Sequence, residues 1–318
     1  MRILVFLSVL CAVPGVVLGQ SYPSRAVRFV VPYAAGGPAD IVARIVAPGM
    51  TAQLGQPLVI DNRGGAAGHI AAADVARAPA DGHTIVLTTI AHNAAHSMYA
   101  NLTYDPAKDL KPVVVIADAP CVLVVHPSLP VRSVQELVAL ARANPGKLSY
   151  GSAGAGSALH MAGELFKVVS RTDITHIPYK GSAPALVDLL GGQIHMIFDS
   201  FPSAIPHVRS GKLRAIAVTS AQRAQALPEL PTIAGSGLPG YESVPWYVIS
   251  VPAGVPDPVV RRLNEVANKA LKAPELAQRW QDLGLTPLGG SPEDAQRRND
   301  VETRRWSQVI KTAGIKVQ

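Results

Sequence analysis

Cysteine is scarce in this chain, and its two positions leave nothing to cross-link. Cys11 lies in an apolar N-terminal run; if that run is removed, only Cys121 remains and no intrachain disulfide can form. Packing must then hold the fold even in a compartment that would permit disulfides. Cys121 opens the apolar stretch Cys121-Val122-Leu123-Val124-Val125, the setting of a buried, inert thiol rather than a nucleophile. Aromatic residues make up only 5%, and no basic stripe carries interleaved stacking side chains, which argues against nucleic-acid binding despite a net charge of +7. The arginine pairs Arg261-Arg262, Arg297-Arg298 and Arg304-Arg305 suit solvated helix faces as well as a mild field that favours anionic solutes.

Long apolar runs are missing too, apart from Ile3 to Leu18. That run falls short of the ~20 residues a membrane span needs. It follows the positive Arg2 and ends in small residues near Val17-Leu18-Gly19, so residues 1–19 read as a cleavable secretory signal. The residue before Cys11 is Leu10, not a small one, which speaks against a lipoprotein.

After residue 19, about 300 residues remain, enough for two ordinary domains. Strand-like and helix-like segments alternate, the pattern of an α/β protein with largely parallel sheets. Strands are expected at 27–32, 58–61, 84–88, 113–117, 121–126, 148–151, 174–177, 196–199 and 214–219. Helices are expected at 39–54, from 68 to about 77, 134–143, 158–170 and 183–190. Residues 228–241, rich in proline and glycine, should hold little regular structure, and the chain from Pro258 onward reads as helical.

Two strand–glycine loop–helix units, about 120 residues apart, carry the chemistry. In each, a strand ends in a loop whose glycines free the backbone, and a helix N-terminus presents unpaired N–H groups there, an arrangement that favours an anion. The first unit holds Tyr33, Ala35, Gly36, Gly37 and Asp40. Its glycines either approach a ligand or make a tight turn, and Asp40 suits a cap within the first helical turn. The second holds Gly154, Gly156, Ser157 and His160. Leu159 occupies the place where a dinucleotide fingerprint needs Gly or Ala, so no nicotinamide cofactor is expected, nor any other cofactor. Ser157 suits an N-cap, a ligand hydroxyl or both, and His160 suits a ligand donor or a bond within the loop.

Thr88, Thr89, His92 and Asn93 follow the third strand at the same carboxyl edge, where they could read the distal part of a solute; Tyr179 and Asp199 stand at or past later strand ends. An anionic Asp199 would suit a solute amine or hydroxyl and oppose a second carboxylate. Trp246 and Tyr247 suit an apolar wall or simply core packing. His92 and His96 have zinc-like spacing but no glutamate between them and no nearby cysteine, so no metal is expected. Ser157 with His160 lacks both a G-x-S-x-G elbow and a third member, which leaves a hydrolase as the weaker alternative.

The chain as a whole resembles the tripartite tricarboxylate transporter receptors, also called Bug receptors. The resemblance runs through Tyr22-Pro23-Ser24-Arg25, Val31-Pro32-Tyr33-Ala34-Ala35-Gly36-Gly37, Asp40-Ile41, Asn62-Arg63, Tyr104-Asp105-Pro106, Asn144-Pro145-Gly146-Lys147, Pro178-Tyr179-Lys180-Gly181-Ser182, Gly211-Lys212-Leu213-Arg214 and Gly237-Leu238-Pro239-Gly240. It implies a two-domain periplasmic binding protein fold of type II-like form, with a hinge and a ligand cleft between the domains. On that pattern domain 1 takes residues 20–122 and 236–318, and domain 2 takes 123–235. A small carboxylate solute is implied, held by backbone amides and water in the loops 33–40 and 152–160, along with membrane permease subunits as partners. A monomer in the periplasm that is not an enzyme is implied as well, or alternatively a sensor that presents solute to a signalling partner. Three places depart from the family pattern: Pro38-Ala39 replaces residues with a hydroxyl, Ala66-Ala67-Gly68 replaces a more glycine-rich stretch, and Gly235 stands where a glutamate is usual.

Overall fold

A computed structural model describes residues 22–99 and 101–315; the expected signal segment, 1–19, lies outside the described residues. In chain order the elements are β1 (Val27–Val31), α1 (Pro38–Leu54), β2 (Leu58–Asn62), α2 (His69–Ala76), β3 (Thr84–Thr89), α3 (Ile90–Met98), β4 (Leu110–Asp118) and β5 (Cys121–Val125). There follow α4 (Val134–Ala143), β6 (Ser149–Ser152), α5 (Ala158–Ser170), β7 (Thr175–Pro178), α6 (Ser182–Leu190), β8 (Met196–Ser200), α7 (Phe201–Arg209) and β9 (Arg214–Val218). The chain ends with β10 (Trp246–Pro252), α8 (Asp257–Leu271), α9 (Pro274–Asp282), β11 (Thr286–Gly289) and α10 (Pro292–Ala313).

Local signals explain several boundaries. In α4, Val134, Leu137, Val138 and Ala141 are buried, one face of a 3.6-residue period, and Ser133 Oγ accepts the Glu136 N–H at 3.1 Å as its cap. The α1 helix stops at Gly55, whose φ of 70° is the left-handed conformation that glycine adopts at no steric cost. All five residues of β5 are buried, as expected for a strand covered on both faces.

The strands form two sheets, ordered β11-β4-β10-β3-β1-β2 and β7-β6-β8-β5-β9. Neither is largely parallel, contrary to the pattern expected from alternating strands and helices. The β1–β2, β1–β3, β6–β7 and β6–β8 pairs are parallel, whereas β10 runs antiparallel to both β3 and β4, β11 to β4, and β5 to both β8 and β9. The reason is the crossing. The chain leaves the first sheet at the end of β4 and starts β5 of the second after only Ala119-Pro120, then returns from β9 to β10. The crossing strands therefore oppose the βαβ units beside them. Where they meet, Trp246 pairs with Asp118 and the Ala119 N–H donates to the Pro245 carbonyl at 2.8 Å.

Four elements carry weak sequence signals. The α3 helix is rich in His, Asn and Ser, residues of middling helix propensity. The α7 helix has Pro202 in its first turn and Pro206 inside it. The β10 strand is bracketed by Pro245 and Pro252, and β11 is a four-residue edge strand with Pro287 inside the charged C-terminal segment, which is thus not wholly helical. Cys121 is fully buried, and burial pushes its thiol far above its ordinary range, so it stays protonated.

Candidate functional site

Both glycine loops lie at strand carboxyl ends and face the space between the sheets. There a small cavity of about 20 Å³ holds room for about one water. From the first-sheet side Tyr33, Pro38, Ala39 and Thr89 line it; from the second, Ala153, Ser157, Ala158, Leu159 and Ser182; Pro245 and Tyr247 of the return segment complete it. None of these residues is charged.

Four helix N-termini meet at this cavity. Pro38 and Ala39 open α1, Thr89 caps α3, Ser157 caps α5 ahead of Ala158 and Leu159, and Ser182 opens α6. Helices leave the first-turn N–H groups without intrahelical partners and concentrate about half a positive charge there. The wall is therefore electropositive without carrying any formal charge.

The four ends are not equivalent. At α1, the Asp40 carboxylate folds back: its Oδ2 accepts the Gly36 N–H at 2.9 Å and pairs with Arg44 Nε at 2.9 Å. Burial would raise this carboxyl, but the hydrogen bonds from Arg44 and Gly36 outweigh it and hold it below its usual range. Pro38 has no N–H to offer. At α6, Ser182 Oγ donates to Asp199 Oδ1 at 2.6 Å, and Ser203 Oγ donates to Asp199 Oδ2 at 2.5 Å. Asp199 is wholly buried, one hydroxyl behind the cavity wall, and burial pushes its carboxyl up to about 6 against those hydrogen bonds.

At α3 and α5 no acid lies in the first turn. A histidine stands there in each case. Thr89 Oγ1 accepts the Ala91 N–H at 3.3 Å, and the Thr89 N–H donates to His92 Nδ1 at 3.1 Å. Likewise Ser157 Oγ accepts the His160 N–H at 3.2 Å, and the Gly156 N–H donates to His160 Nδ1 at 3.0 Å. Burial lowers both imidazoles to about 4, so near neutral pH they accept these bonds as uncharged rings. Tyr33 Oη donates to the Ala67 carbonyl at 3.0 Å, leaving it to accept from Thr89 Oγ1 at 3.2 Å.

Of the residues expected to bind, Tyr33, Thr89 and Ser157 thus line the cavity. Ala35 and Gly36 are exposed at the loop tip, and Gly37 precedes α1 as its cap residue. Asn93 points instead at α10, where its amide donates to the Asn299 carbonyl and to Thr303 Oγ1, each at 3.2 Å. Gly154 and Tyr179 line a wider outer groove of about 860 Å³ between the sheets, together with Ala66, Ala67 and Tyr99. The Tyr179 hydroxyl there donates to Asp188 at 2.7 Å. Ser182 was not foreseen, although Tyr179-Lys180-Gly181-Ser182 repeats the strand–glycine–helix order of the other two units. Pro245 was missed as well, having no polar group to single it out.

The two halves touch closely around the cavity. The Ala34 N–H donates to the Lys180 carbonyl at 3.3 Å, and Tyr99 Oη donates to the Ala155 carbonyl at 2.5 Å. A Cβ at Gly64 would stand 2.5 Å from the Lys180 oxygen, so only glycine permits this approach. Ala66 and Ala67, next to it, hold φ of 45° and 50°, left-handed conformations that cost an L-residue about 1–2 kcal/mol each. Strain of this kind persists where surrounding structure enforces it, often beside a binding site.

Two mixed α/β sheets, joined by paired crossing strands around an uncharged, dipole-lined cavity, define a solute-binding receptor of the periplasmic binding protein class. The chain belongs to the tripartite tricarboxylate transporter family receptors, whose family model matches residues 42–315. Among solved structures it is similar to Rpa4515 of R. palustris with adipate, at 43% identity and TM-score 0.90, over 93% of this chain and 100% of that one. It is similar to the periplasmic binding protein BugD at 37% identity and TM-score 0.90, over 93% and 100% of the two chains. It is also similar to MatC of Rhodopseudomonas palustris with bound malate, at 34% identity and TM-score 0.86, over 91% and 100%. Family and neighbours alike are solute-binding receptors, and membership places this chain in the periplasm.

Proposed function

We propose that this chain captures a small carboxylate between its two sheets and, by closing on it, delivers it to the permease subunits of a tripartite transporter. The observation that carries this reading is the meeting of four helix N-termini on one uncharged cavity, with no lysine or arginine in the wall. Oriented amides and hydroxyls there favour an anion without a counter-ion of fixed position. Adipate and malate in two solved relatives support the same ligand class.

The cavity, at about 20 Å³, is too small for any such solute, so binding requires the sheets to part and close again. The hinge lies at Ala119-Pro120 and at the segment before Trp246, and the two lobes are the bodies on either side of it. Closure is favoured only by a ligand that touches both lobes, which Tyr33 and Thr89 on one side and Ser157 and Ser182 on the other make feasible. The chain acts as a monomer after removal of residues 1–19, and it leaves its ligand chemically unchanged.

The test is a thermal-shift screen of the refolded mature chain against carboxylates and their neutral amides. A ligand that binds only the native state raises Tm with concentration. Acids are expected to raise it by several degrees and their amides not at all. Equal responses to acids and amides, or no response to any acid, would sink the reading.

A further inference from the structure

We infer that this cleft selects a monocarboxylate with an apolar body over a dicarboxylate of the same carbon skeleton. The inference rests on the carboxylate reading above and concerns the second end of the solute.

Two of the four helix ends already hold an anion of the protein's own. Asp40 takes the Gly36 amide at α1, and Asp199 takes the Ser182 hydroxyl at α6 and the Ser203 hydroxyl at α7. A carboxylate placed at α6 would meet a like charge, whereas at α1 Arg44 balances the charge of Asp40. At α6 it would stand one serine hydroxyl from Asp199, and the proton of that hydroxyl is already committed to Asp199, away from the cavity. Among the described residues no lysine or arginine pairs with Asp199, and the titratable groups that sense its charge, Cys121 and Tyr247, are both held protonated and neutral by burial. The α1 wall offers neither a hydroxyl nor a first-residue amide, because Pro38 has no N–H and Ala39 no polar side-chain atom.

The ends at α3 and α5 are unclaimed by any acid. Ser157 Oγ accepts the His160 N–H, so its own hydroxyl proton remains free to donate. One carboxylate therefore has a place beside Ser157, facing Thr89 of the other lobe, whose own hydroxyl proton is held by Tyr33. The remaining wall, Pro38, Ala39, Ala153, Leu159, Pro245 and Tyr247, offers contact to carbon.

The experiment is calorimetric titration of the refolded mature chain with matched pairs: butyrate and succinate, hexanoate and adipate, 4-methylbenzoate and terephthalate. The monoacid of at least one pair is expected to bind at least tenfold more tightly than its diacid. A diacid that binds as tightly as its monoacid, or more tightly, in every pair that binds overturns the inference and leaves the carboxylate reading intact. Failure of all six acids overturns both. Asp199→Asn should narrow the monoacid preference severalfold, and Ala39→Ser, which keeps Asp199 and adds a donor, should narrow it also. A preference unchanged in both folded variants overturns the assignment to these walls.

Discussion

The loop that leads into α1 carries its own anion, and the loop that leads into α5 does not. Both follow a strand, both contain glycine, and both deliver a helix N-terminus to the same cavity. Yet the first is closed by Asp40, which takes the Gly36 N–H and an arginine, while the second is closed by a neutral histidine that takes the Gly156 N–H. A helix terminus is thus an anion site only where no internal carboxylate has already taken the place. The comparison also separates two ways of tying down a glycine loop, by charge and by an uncharged ring, and acid tells them apart.

The largest expected effect is on that distinction. Burial lowers His160 to about 4, so its neutral form contributes stability that is full above pH 6.5 and lost as pH falls from 6.5 towards 4. The loss approaches about 1.4 kcal/mol per pH unit for one such histidine. His69 and His92, lowered by burial to about 3 and about 4, add to it from the α2 and α3 side of the cleft. Asp40 is held below its ordinary 3.8, so the first loop keeps its tie until the pH falls further, through the folded value. Hydrogen exchange compared at pH 7.5 and pH 5 should therefore show residues 154–160 loosening while residues 34–40 stay protected. Equal loosening of both would break the comparison.

Next in size is closure. Gly64→Ala places a Cβ 2.5 Å from the Lys180 oxygen, so the lobes cannot seat. Carboxylate affinity should fall about a hundredfold, ~2.7 kcal/mol, with little change in unliganded Tm. Titration and small-angle scattering check this, and an unaltered affinity would mean that the close approach is not part of binding.

The smallest effects sharpen the contrast residue by residue. Ser157→Ala removes the α5 cap, costing about 1 kcal/mol, and should also weaken the carboxylate about tenfold, ~1.4 kcal/mol. Asp40→Asn should cost a comparable ~1 kcal/mol of stability through the Gly36 and Arg44 bonds, with a smaller change in affinity than Ser157→Ala. The ratio of the two affinity changes, measured by titration, is the readout.

Much of this framework could be read from residue order. The α4 and α5 helices run over the expected residues, 134–143 and 158–170, because Ser133 and Ser157 mark their starts and the apolar period is regular. Tyr33, Thr89 and Ser157 were legible for the same reason, each standing where a strand gives way to a helix. What stayed hidden depends on partners distant in the chain. Trp246–Pro252, between prolines, carries no strand expectation of its own and becomes a strand only because β3 and β4 flank it. Asn93 reads as a ligand group until α10, some 200 residues later, takes its amide. Asp199 belongs behind the wall and not in it because Ser182 comes between, a fact of packing that no local pattern encodes.

The position of β10 has a consequence for how the molecule is made. In the first sheet β10 lies between β3 and β4, although both are synthesised more than a hundred residues earlier. Until β10 arrives, β3 and β4 have no common neighbour, and each presents an open strand edge. The second sheet, by contrast, draws all five strands from the continuous stretch between Cys121 and Val218. It can therefore form first, while the N-terminal strands wait for the return of the chain. Such long-range pairing slows folding and leaves apolar edges uncovered for longer. The half made first is then the half that cannot finish until the last quarter of the chain is made.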